Sequence, residues 1–144
     1  MRNVSFRLSI LLASLLLFNC QRLFTPANGV RCVDTNFSDE IDPSQNLSFT
    51  FNKDLVGADS LLNVWLEESP VRISPAVKGK CKWVSKRELV FSPLEAFPMA
   101  TDFEISLSDK VTRHAPKALS LLGEIKYNIH TPYLDLTGSD TRWA

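Results

Sequence analysis

An all-β domain, an antiparallel β-sandwich of about seven short strands, is what this sequence predicts, and three observations carry the prediction. Apolar residues recur with a period of two in several separate runs, the pattern of a strand that buries one face. Ser69-Pro70, Ser74-Pro75, Lys78-Gly79, Ser92-Pro93 and Phe97-Pro98 divide the chain into pieces too short for most helices. Apolar residues make up 44% and charged residues 22%, the balance of a chain that buries a core. A chain of 144 residues holds one such core rather than two.

The first element is a leader at residues 1–19. Arg2 and Arg7 supply its positive start, and Leu8 to Phe18 form an apolar run relieved only by Ser9, Ala13 and Ser14. Eleven residues rise about 16 Å as a helix, roughly half of a 30 Å hydrocarbon core, so the segment targets rather than spans. Leu17-Phe18-Asn19-Cys20 then resembles a lipobox, in which a signal peptidase cuts before a cysteine that receives diacylglycerol. Phe18 and Asn19 stand where most lipoboxes carry small or β-branched residues. The competing reading is a plain secretory signal cleaved near Ala27, or a free buried cysteine at position 20. Two ester-linked chains on Cys20, with a third on its amine, would make attachment to a membrane stable. The expected location is a bacterial cell envelope, and Gln21 after the cysteine favours the outer membrane.

Residues 20–30 read as a tether, since Thr25-Pro26-Ala27-Asn28-Gly29 carries turn residues and no apolar period. Strands follow at 47–52, 62–67, 71–74, 80–84, 88–92, 102–108 and 124–131. Leu47, Phe49 and Phe51 alternate with polar neighbours, as do Phe103, Ile105 and Leu107, and Ile125, Tyr127 and Ile129. Residues 115–122 fit one helical turn or a loop and are read as irregular.

The order of these segments carries a resemblance. Phe49 and Phe51 lead to Asp54-Leu55-Val56; Ile73-Ser74-Pro75 is followed by Gly79; Trp83 comes next, then Leu89, Phe91 and Pro93, then Thr101, Phe103, Ile105 and Leu107. This succession resembles the Ig-like module at the N-terminal end of bacterial alpha-2-macroglobulins and in S-layer-type proteins. The likeness covers residues 31–132 and ends on Ile129-His130-Thr131-Pro132, a closing strand before a further domain. Phe103 stands where the family has tyrosine. The resemblance implies an Ig-like sandwich and a kinship with protease-trapping proteins. It does not carry over their chemistry: Cys32 is followed by Val-Asp-Thr and Cys81 by Lys-Trp-Val, so neither has a glutamine at thioester spacing, and no bait region is present. Residues 133–144 read as the start of a missing next domain or as a tail, and a truncated family member and a free-standing module both stay open.

Candidate chemistry is sparse. His114 and His130 lack the spacing of a metal pair, and no metal or cofactor is expected. Asp34, Asp39, Glu40 and Asp42 form an acidic stretch that matches no Ca²⁺ loop and reads as solvated surface. Lys78, Lys80, Lys82, Lys86 and Arg87 gather around Trp83 in the sequence and offer a basic, aromatic surface to an anionic lipid, a glycan or a protein. Alternation toward solvent is the competing account of those lysines. With Cys20 lipidated, Cys32 and Cys81 remain. A bond between them would close a loop of about 50 residues, worth roughly 4 kcal/mol, in an oxidising compartment; the alternative is two separate thiols, with Cys81 in the core beside Trp83. Lysine plus arginine equals aspartate plus glutamate at 16 each, which does not steer toward nucleic acid.

No Ser-His-Asp order, G-x-S-x-G or glycine-rich phosphate loop occurs, so an enzyme is not expected. The leading expectation is a non-catalytic lipoprotein module whose partners are a membrane, through Cys20, and a protein such as a protease. The alternative is a free-standing adhesion or scaffold lipoprotein binding host or envelope components.

Overall fold

The computed structural model describes residues 26–133, and over them the chain is all-β. The strands are β1 (Gly29–Val30), β2 (Cys32–Thr35), β3 (Leu47–Phe51), β4 (Val71–Ser74), β5 (Gly79–Trp83), β6 (Glu88–Pro93), β7 (Asp102–Leu107), β8 (Ser120–Leu121) and β9 (Ile125–His130). Single 3₁₀ turns at Asp59–Leu61 and Asp109–Thr112 are the helical content of the described residues. One antiparallel sheet has the order β2-β3-β6-β5, and another the order β4-β7-β9. A two-residue parallel pair, β1 with β8, lies apart from both.

Period-two alternation decides which face of each strand is buried. Leu47, Phe49 and Phe51 of β3, Leu89 and Phe91 of β6, and Cys81 and Trp83 of β5 point inward from the first sheet. Phe103, Ile105 and Leu107 point inward from the second. The two sets meet: the Phe49 ring lies 6.0 Å from that of Tyr127 on β9, and Phe37 sets its edge against both, at 5.4 and 5.5 Å. Each fully buried phenylalanine or leucine contributes about 1.5–3 kcal/mol relative to exposure, which makes this shared face the main source of stability.

Several sequence expectations need correction. Residues 62–67 do not form a strand; their backbone pairs with β5 through isolated bridges, Leu62 to Trp83 and Trp65 to Lys82. Asn63 has a left-handed backbone (φ 60°), which reverses the local direction and breaks the alternation. The tether is shorter than residues 20–30, because β1 lies within it and Val30 is fully buried. The irregular stretch 115–122 contributes β8. The leader at 1–19, Cys20, and residues 134–144 lie outside the described residues. Among the described residues no helix is long and apolar enough to cross a membrane.

Strand directions give the body two poles. At the near pole the chain comes in: the Asn52 N–H donates to the Arg31 carbonyl at 3.1 Å, Leu55 to Lys86 at 2.7 Å and Gly57 to His114 at 3.0 Å. At the far pole Phe97 donates to Pro43 at 2.7 Å, Ile41 to His130 at 3.0 Å and Ala100 to Pro132 at 3.1 Å. Fully buried Thr131 fastens that end, its hydroxyl donating to the Pro98 carbonyl at 2.6 Å and accepting from the Thr101 N–H at 3.1 Å. β4 is an edge strand, and the Ser69 hydroxyl closes part of its free side by donating to the Val71 carbonyl at 2.8 Å and accepting from the Val71 N–H at 3.2 Å.

Candidate binding surface

The structure separates the residues that adjacency in the sequence had grouped. On β5 the pleat sends Lys80 and Lys82 outward and Cys81 and Trp83 inward. Trp83 is 1% exposed and packs on Phe51 at 5.9 Å, so it is a core residue and belongs to no surface. Lys78 sits at the far pole, where its carbonyl accepts the Leu94 N–H. Lys86 and Arg87 lie in the β5–β6 turn at the near pole, paired with Asp59 at 3.1 Å and Asp54 at 2.6 Å. The basic surface drawn around Trp83 is therefore not one patch.

The exposed aromatic is Trp65, which the sequence reading placed within a strand and did not single out. It is 46% exposed and its neighbour Val64 is 50% exposed, while Leu61, Leu62 and Leu66 of the same loop pack on the core. The loop is held to the outer edge of β5 by N–H donation from Asn63 to the Trp83 carbonyl at 2.7 Å and from Leu66 to the Cys81 carbonyl at 2.8 Å. Lys82 lies over the Trp65 ring, Nζ 4.9 Å from its centre, a cation–π contact on the outer face of the sheet. Beside Val64 and Trp65 opens a cleft of about 470 Å³ whose far wall carries Glu68, Lys110, Arg113 and His114. Glu68 accepts from Lys110 at 2.9 Å and Arg113 at 3.2 Å, and the Lys110 contact first, then the two positive charges, hold its carboxyl below the usual range.

A second cleft, also about 470 Å³, lies where the chain comes in, bounded by Ala27, Asn28, Lys53, Asp54, Pro116 and Lys117. Lys53 donates to the Ala27 carbonyl. The Asp54 carboxylate is engaged by Arg87.

Neither cysteine is bonded. β2 and β5 are the two outer strands of their sheet with β3 and β6 between them, which sets Cys32 and Cys81 about 14 Å apart across the strands, against a limit near 7 Å for a bridge. Burial pushes both thiols up from their ordinary value of 9.0, in each case against weaker opposing hydrogen bonds. Both are neutral at pH 7 and poor nucleophiles. Without reductant, both are expected to alkylate in denaturant, and in the native state half-buried Cys32 is expected to react before fully buried Cys81. Peptide mapping after timed iodoacetamide treatment checks this, and a persistent Cys32–Cys81 linked peptide would contradict it.

His130 lies 3.8 Å from Glu40 and stacks on Tyr133 at 4.8 Å, whose hydroxyl donates to Asp102. His114 sits apart at the near pole. In the acidic stretch, Asp42 accepts from the Ser44 N–H and hydroxyl, both at 2.8 Å, and the Asp39 backbone carbonyl accepts the His130 N–H of β9 at 2.7 Å. Among the described residues no three His, Cys, Asp or Glu side chains are grouped to hold a metal ion.

Comparison with known proteins adds one sequence likeness. The chain is 34% identical over 62 residues, 43% of its length, to an alpha-2-macroglobulin homolog of Yersinia pestis, and spans 3% of that protein. No family model matches. Among solved structures, L,D-transpeptidase 3 of Mycobacterium tuberculosis is similar with a TM-score of 0.45 and 13% identity, over 70% of this chain and 37% of that one. Another L,D-transpeptidase of Mycobacterium tuberculosis is similar with a TM-score of 0.46 and 12% identity, over 70% of this chain and 39% of that one.

Proposed function

We propose that this chain is a non-catalytic module of a bacterial cell envelope, an Ig-like sandwich resembling the N-terminal domain of bacterial alpha-2-macroglobulin, tethered by lipid on Cys20 and most at home in the outer membrane. The observation that carries the reading is the 62-residue likeness to the Yersinia protein in a chain that is all-β where described. Both thiols are held protonated by burial, and the two histidines lie at opposite poles. Such a module would act by holding a surface or further domains at the membrane, and its protein partner would be a protease or an envelope component.

In cells fed labelled palmitate, the intact chain is expected to take up label in a globomycin-sensitive manner and Cys20→Ala to take up none. Equal label in the two, or none in either, would refute the anchor.

The alternative, a free-standing adhesion or scaffold lipoprotein, is favoured by the exposed Trp65 with Lys82 against it. Exposed tryptophans beside cations are common anchors in interfaces. Loss of envelope or host binding in Trp65→Ala with an unchanged fold would favour it over the first reading.

A further inference from the structure

We propose that the cleft at the root of the tether, between Lys53 and Lys117, is a seat for the headgroup of an anionic lipid, so that the domain stands on the membrane by its near pole. The inference rests on the tethered reading above.

Cys20 and Pro26 are six residues apart, a separation of at most about 20 Å even when fully extended. A lipid on Cys20 therefore keeps the Ala27–Asn28 lip of this cleft close to the headgroup layer. The cleft holds two ammonium groups and one carboxylate. Asp54 is satisfied by Arg87 at 2.6 Å, while Lys53 and Lys117 have no carboxylate partner among the described residues. Lys53 donates one N–H to the Ala27 carbonyl, which aims its ammonium at the incoming chain and leaves its other protons for an anion. Pro116 and Leu119 give the cleft an apolar flank against which glycerol and upper acyl carbons can lie.

Charge elsewhere on the body sets the same orientation. The far pole gathers Asp39, Glu40, Asp42, Glu95 and Asp102 with Lys78 as the nearby lysine, while Glu104, further along β7, is paired with Lys126 at 3.5 Å. An anionic surface acts over a Debye length of about 8 Å at physiological salt, so it attracts the near pole and repels the far one.

The test uses the full lipidated chain on vesicles of phosphatidylcholine alone or mixed with phosphatidylglycerol, treated with an amine-acylating reagent and read by peptide mass spectrometry. On anionic vesicles Lys53 and Lys117 are expected to acylate about fivefold more slowly than on neutral ones, Lys78 at an unchanged rate, and the protection to fade near 0.5 M salt. Equal acylation of Lys53 and Lys117 on the two vesicle types, with the chain bound to both, overturns the proposal. Protection of the same lysines by inorganic phosphate alone, with none added by anionic vesicles, assigns the cleft to a soluble anion and overturns the lipid assignment. A chain that fails to float with neutral vesicles refutes the anchor instead, and the protection is then read with and without anionic vesicles.

Discussion

Trp83→Ala is expected to cost about 3–5 kcal/mol of folding stability, a large share of the 5–15 kcal/mol that typically holds a domain together. Trp65→Ala is expected to cost less than about 1 kcal/mol. Trp83 is 1% exposed with its ring against Phe51, and its carbonyl takes the Asn63 N–H that pins the 61–69 loop to the edge of β5. Truncation leaves a cavity where the surrounding side chains can only partly collapse, so the lost transfer energy and the cavity term add. Trp65 is half in water and gives up one cation–π contact with Lys82, a surface interaction of about 0.5–1 kcal/mol. Urea denaturation followed by far-ultraviolet circular dichroism separates the two variants. Equal midpoints would mean that Trp83 does not occupy the core.

Both tryptophans show where sequence reasoning holds and where it fails. The alternations at Leu47–Phe51, Phe103–Leu107 and Ile125–Ile129 were legible because a two-residue period is a local property of the chain and survives any arrangement of the strands. The same period in Lys80-Cys81-Lys82-Trp83 sends Trp83 and Cys81 to one face and the lysines to the other, which is the account by alternation toward solvent rather than the one that groups Trp83 with the lysines. Trp65 was hidden for a different reason. Leu61-Leu62-Asn63-Val64-Trp65-Leu66 is apolar enough for a strand, and only the left-handed backbone at Asn63 turns Val64 and Trp65 out while the leucines stay in.

Pairing order is non-local, and it decides what the cysteines do. Nothing in the spacing of Cys32 and Cys81 tells that two strands lie between them, whereas the order β2-β3-β6-β5 makes it plain. The lysine-lined cleft has the same origin. Lys53 and Lys117 are 64 positions apart and meet only because the 114–117 stretch folds back onto Gly57, whose N–H donates to the His114 carbonyl. Short elements such as β1 and β8 escaped for want of length: two residues carry no period.

Gly79→Ala is expected to destabilise the domain by about 1–3 kcal/mol, from the addition of a single methyl group. In the sequence Gly79 looks like a turn residue, one of the breakers that divide the chain. In the structure it opens β5 opposite Pro93, in register with the β6 residues that fill the core. A Cβ at this position would lie 2.2 Å from the Phe91 ring and 2.8 Å from the Ser92 carbonyl. Phe91 is 2% exposed and has no room to withdraw, and the Ser92 carbonyl belongs to the backbone of a paired strand, so neither obstacle can yield cheaply. The missing side chain, rather than the backbone freedom of glycine, is what the site requires. Gly57→Ala supplies the contrast. There the nearest atom to a new Cβ is Pro116 Cβ at 3.4 Å, an ordinary contact, and the change is expected to be neutral or to stabilise by up to about 1 kcal/mol through the unfolded chain. Near 4–8 °C of melting temperature per kcal/mol for a domain of this size, the two variants should be clearly resolved by differential scanning calorimetry. Identical melting temperatures would place the Phe91 ring away from the backbone of residue 79 and undo the register between β5 and β6 on which the core of the first sheet depends.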